Sequence, residues 1–156
     1  MRTEKIRRKT KPEVKKTKIE VIFAKTEKLT MQMKAKSDEI EYWRSFASVT
    51  STDPGRTGGG KSRRPGSKIE VCVAKIMAFE ESIERDMEEI IELQEQAKEM
   101  IKALNSPKLE SLLTHRYICG KKWEDVAAIL GYSYVHTQRL NAQALEELRK
   151  IEENLP

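Results

Sequence analysis

A helix stop and a helix start fall within three residues of each other near the C-terminal end of this 156-residue chain, and that spacing predicts two helices joined by a tight turn. Trp123-Glu124-Asp125-Val126-Ala127-Ala128-Ile129-Leu130 places Val126, Ala127, Ile129 and Leu130 on one side of about two helical turns, with acids at the dipole-favoured N-terminus. Gly131 then stands where a chain leaving a helix turns left-handed, and Ser133 is a natural N-cap for the next helix. In that helix Thr137, Leu140, Ala144, Leu145 and Leu148 recur at three-and-four spacing and are expected to face inward. Tyr134, Val135, His136, Gln138 and Arg139 are left for the exposed first turns. The pattern predicts a helix-turn-helix.

The first turns of a second helix are the part that enters a DNA major groove, and Gln and Arg carry the donors and acceptors that bidentate contacts to adenine and guanine require. The region resembles the C-terminal promoter-reading part of sigma-70-type factors, region four. The resemblance lies in Arg116-Tyr117-x-x-Gly120, in Glu124-Asp125-Val126-Ala127-x-x-Leu130-Gly131-x-Ser133, and in Thr137-x-x-Leu140-x-x-x-Ala144-Leu145-x-x-Leu148-Arg149. It covers about residues 108 to 150. With the long helical front end, the whole chain is similar to the small sigma-like phage transcription regulators of the ArpU and RinA type. The resemblance implies double-stranded DNA as partner, with Tyr134, Val135, His136, Gln138, Arg139, Lys121, Lys122 and Arg116 as DNA-binding candidates, and host RNA polymerase as a second partner. In sigma factors the positions of Tyr134 and Val135 are commonly polar or charged, so an apolar Val135 implies a different target, such as a thymine methyl. The bland alternative is a three-helix protein-interaction domain with Trp123 and Tyr132 as core aromatics.

Charge is spread unevenly. Residues 1–18 hold nine Lys or Arg against two Glu, and residues 50–68 hold five against one Asp. Residues 69–104 hold ten acids against four bases, whereas 19–49 and 105–156 are each balanced. A neutral reading head binds DNA weakly, because each phosphate contact needs a cation. The additional affinity has three candidate sources: the basic tail, duplication of the head by self-association, or docking on RNA polymerase. The bland reading of the tail is a solvated, disordered end.

Two long helical stretches are expected between tail and head. Ile69, Cys72, Ile76, Phe79, Ile83, Ile90, Leu93, Ala97, Met100 and Leu104 follow three-and-four spacing, broken only by Asp86. Val73, Met87 and Ile101 widen the stripe, so this helix should meet more than one neighbour. Residues 19–47 repeat the theme through Ile19, Ile22, Leu29, Met33, Ile40, Trp43 and Ala47, with Thr26 and Lys36 as interruptions. The Gly-, Pro- and Ser-rich segment between them breaks helix throughout and is long enough to close an antiparallel hairpin. The expected fold is therefore all-α: a basic tail at 1–18, a coiled-coil-like hairpin over 19–104 with a flexible linker at 50–68, and a helix-turn-helix domain over 105–152. Stripes this wide cannot be covered within one hairpin, so a homo-oligomer is expected.

Gly55-x-x-x-x-Gly60-Lys61-Ser62 satisfies the phosphate-loop pattern, but Pro54 precedes it, Arg63-Arg64-Pro65-Gly66 follows it, and no strand is there to deliver it. It reads as a basic linker. Cys72 and Cys119 lack metal-ligand or disulfide spacing and are expected to be buried thiols. His115 and His136 have no nucleophile arrangement around them, so no enzyme, metal or cofactor is expected. No stretch approaches membrane-spanning length and no secretion signal is seen, so a cytoplasmic chain is expected, and with DNA as partner a nucleoid-associated one. Three functions fit: a sigma-like phage or prophage transcription regulator; a small terminase subunit, whose head usually precedes its hairpin; and a coiled-coil adaptor that does not bind DNA.

Overall fold

The computed structural model describes residues 15–51 and 67–156. Most of the 1–18 tail, the 50–68 linker and the phosphate-loop-like pattern at Gly55–Ser62 lie outside the described residues. The chain is all-α, and no strand occurs among the described residues. Helix α1 spans Lys18–Ser51, α2 Lys68–Lys102, α3 Pro107–Leu113, α4 Trp123–Leu130 and α5 Tyr134–Asn154, with a π-helical turn at Thr114–Ile118 continuing α3. No helix among the described residues is long and apolar enough to cross a membrane.

Local chemistry sets the boundaries. At the start of α1, Glu20 Oε2 accepts from the Thr17 backbone N–H at 2.8 Å and from its hydroxyl at 2.9 Å. At the start of α2 a complete capping box forms: Glu70 N–H donates to Ser67 Oγ at 3.2 Å, and Ser67 N–H donates to Glu70 Oε2 at 3.1 Å. After α2, Asn105 takes a left-handed conformation (φ 50°), which a short polar side chain tolerates, and Pro107 opens α3 at a position where no N–H is needed.

Helices α1 and α2 pack along their length as the expected antiparallel hairpin. Leu29 and Ile40 from α1 and Cys72, Leu93 and Ala97 from α2 are buried. The charged interruptions of the two stripes meet: Lys36 Nζ contacts Asp86 Oδ2 at 2.5 Å and donates to Ser82 Oγ at 2.7 Å. Thr26, the other interruption, returns its hydroxyl to the Ile22 carbonyl at 3.0 Å. A charge in an apolar seam is costly unless paired, so each of these ions is tolerated because the register places the other opposite it.

The hairpin and the head share one core. Ile19, Ala97, Ile101 and Leu104 cluster with Leu109, Leu112, Leu113, Tyr117, Val126, Leu140, Ala144 and Leu148. Thr17 (2% exposed) and Ile19 (0%) are locked into the fold, so the last residues of the segment expected to be a flexible tail belong to the fold. Two burial expectations are corrected. Cys119 is exposed rather than buried, because it follows the π-helical turn where the chain swings outward to Gly120. Ile129 is 49% exposed, because at 3.6 residues per turn it lies roughly 100° round from the direction shared by Val126, Ala127 and Leu130.

Candidate nucleic-acid interface

The turn between α4 and α5 is built by backbone bonds. Gly131 is left-handed (φ 71°, ψ 29°); its N–H donates to the Ala128 carbonyl at 3.3 Å, and Tyr132 N–H reaches back to the Ala127 carbonyl at 3.0 Å. This is a Schellman ending, and its φ favours glycine. Ser133 caps α5 by accepting from His136 N–H at 3.2 Å, while its carbonyl accepts from both the N–H (2.9 Å) and the hydroxyl (3.0 Å) of Thr137. Thr137 is thereby fully buried without an unmet hydroxyl, and it anchors the first turn of α5 beside Leu140, Ala144 and Leu148.

With that face fixed inward, Tyr134 (48%) and Val135 (59%) are exposed, as is Arg139. His136 is half-buried, its ring edge-on to Tyr132 with centroids 4.8 Å apart; Lys108 Nζ lies 4.5 Å over the Tyr132 ring. Gln138 is also half-buried and lines a cleft on the opposite flank of α5. The eight candidates therefore divide. Tyr134, Val135 and Arg139 stand free on the outer face, His136 and Gln138 form its two flanks, and the remaining three belong to the approach to α4.

In that approach the π-helical turn matters. Cys119 N–H donates to the Thr114 carbonyl at 3.0 Å, closing the wide turn that carries Arg116 and Tyr117. Arg116 Nη1 donates to the Lys121 carbonyl at 2.8 Å, and the guanidinium lies 4.9 Å from the Phe23 ring and 5.0 Å from the Trp123 ring. It clamps the hairpin, the turn and α4 together, so a positioning role accompanies any contact it makes. Lys121 is half-buried, whereas Lys122 is exposed at the N-cap of α4. Tyr117 packs edge-on to Phe23 at 5.3 Å and donates its hydroxyl to Asn141 Oδ1 at 3.3 Å. Burial pushes the Tyr117 phenol above its ordinary value, against the opposing effect of the Asn141 bond.

Three residues that the sequence did not single out join this surface: Lys16 and Asn141 in the Gln138 cleft, and Lys108 beside Tyr132. Lys16 had no local signal, since it reaches the cleft only through the packing of α1 on the head. Among the described residues no group of three or more His, Cys, Asp or Glu could hold a metal ion.

No curated protein and no solved structure matches the chain. A family model described as a protein of unknown function (DUF1492) matches residues 47–149, from the end of α1 through most of α5. At about two-thirds of its length, that match makes the chain a member of the DUF1492 family.

Proposed function

We propose that this protein is a DNA-binding transcription regulator of the phage or prophage type that resembles sigma region four, and that it reads a promoter-proximal site with the first turns of α5. The observation that carries the reading is the Gly131–Ser133 turn, which leaves Tyr134, Val135 and Arg139 exposed on a helix end whose opposite face is fixed in the core. A helix about 10–12 Å across fits a major groove about 12 Å wide. There Arg139 offers paired donors to a guanine, and Val135 an apolar contact to a thymine methyl.

Self-association belongs to the same reading. Val73 and Met87, and likewise Met77 and Ile91, lie two heptads apart on α2 and are each roughly half exposed. A second copy packed on that stripe would pair two weakly binding heads. Host RNA polymerase is the further partner, and the bacterial cytoplasm at the nucleoid is the place of action.

Selection of bound sites from a random duplex pool, followed by binding of the selected site, tests the reading. Arg139→Ala should cost about 1–3 kcal/mol, or roughly 5- to 150-fold, and relax preference at one or two base pairs. Unchanged affinity and base preference would replace this function with that of a coiled-coil adaptor. A large ring by light scattering would favour the small terminase subunit.

A further inference from the structure

The neutral charge of residues 105–156 leaves open where the head meets the DNA backbone. A cation brought in from elsewhere in the chain would add to those the head carries. Packing of α1 on the head supplies one: a cleft of about 360 Å³ is lined by Lys16 and Glu20 from the start of α1, by Arg116 and Trp123, and by Gln138 and Asn141 of α5.

We propose that this cleft is a binding site for a DNA backbone phosphate, held by Lys16 and Arg116. The proposal rests on the DNA-reading function above and supplies its phosphate contact. Among the described residues no carboxylate lies within ion-pair distance of either cation. The single carboxylate in the lining, Glu20, already accepts two hydrogen bonds at Oε2 from Thr17. Arg116 has five donors, of which Nη1 is committed to the Lys121 carbonyl, and the Phe23 and Trp123 rings hold the guanidinium in place without neutralising it. A pair of phosphate oxygens matches the donor geometry of such a guanidinium. Gln138 lies on the cleft wall and adjoins Arg139 on the reading helix, so an anion held there sits beside the bases being read. A recognition helix in a major groove is flanked by phosphate strands at this position.

The test is equilibrium binding of the full chain to a fluorescein-labelled random-sequence duplex, followed by anisotropy between about 50 and 200 mM KCl. Wild-type protein should bind, with affinity falling as salt rises. Lys16→Gln should lower the slope of log K against log salt by about 0.9, so that its affinity changes about 3.5-fold less across that range. Lys16→Arg should restore the slope. Lys34→Gln, which removes an exposed cation from the hairpin away from the cleft, should leave it unchanged. A Lys16→Gln slope equal to that of wild type, with wild type binding normally, would overturn the phosphate site alone. Absence of binding by wild type would overturn the DNA-reading function and the site together.

Discussion

Replacing either member of the Lys36–Asp86 pair should destabilise the hairpin far more than replacing both. The side chains are 23% and 15% exposed, between a surface pair, worth about 0.2–1 kcal/mol, and a fully buried one, whose disruption costs about 3–5 kcal/mol. Asp86→Leu leaves Lys36 with only the Ser82 hydroxyl, and Lys36→Met leaves the largely buried Asp86 without its counter-ion. Each should cost about 1.5–2 kcal/mol, or about 3–8 °C in melting temperature for a chain of this size. Lys36→Met combined with Asp86→Leu places two apolar side chains opposite each other and should stay within about 1 kcal/mol of wild type. Urea unfolding of the four proteins, followed by helical circular dichroism, gives the coupling directly, and about 2 kcal/mol or more is expected. Additive losses, with a coupling below about 0.5 kcal/mol, would refute the view that each charge is tolerated only because of the other. The surface pair Arg44–Glu80, at 2.9 Å with both side chains about half exposed, should show coupling under about 1 kcal/mol in the same assay.

Because hairpin and head share a core, Leu148→Ala should cost about 2–5 kcal/mol and lower a single cooperative transition; a melt in which the hairpin unfolds separately at its wild-type temperature would contradict the shared core. Met87→Asp together with Ile91→Asp, both exposed in the single chain, should reduce the light-scattering mass to that of one chain while leaving helicity intact, and retention of an oligomer would rule out the α2 stripe as its seam. Tyr117 ionises less readily when folded than when unfolded. Its stabilising contribution is therefore complete below the unfolded value of about 10 and is lost as pH rises through the higher folded value, so urea midpoints should fall above about pH 10 in wild type and fall less in Tyr117→Phe.

Local chemistry determined much of this protein. The α4 limits, the left-handed Gly131 and the Ser133 cap follow from residues within a few positions of one another, and the antiparallel hairpin follows from two apolar stripes joined by a helix-breaking segment. Such features are readable because caps, turns and helical periodicity act over one or two turns of chain. Burial at single positions was less legible: Ile129 satisfies the apolar pattern of α4 yet faces solvent, and Cys119 is a typical core residue type placed outside by a π-helical turn that no sequence signal announced. The remaining features depend on contacts between residues far apart in sequence. Along the sequence Lys36 and Asp86 are two separate interruptions that only the hairpin register pairs, and Lys16 lies in a basic run that only the burial of Thr17 and Ile19 ties to the fold. Arg116 read as a DNA contact, whereas packing also places it between Phe23 and Trp123, holding the hairpin to α4. Periodicity specifies which face of a helix is apolar, but which partner covers that face, and which charges are carried in with it, is fixed only when the whole core closes.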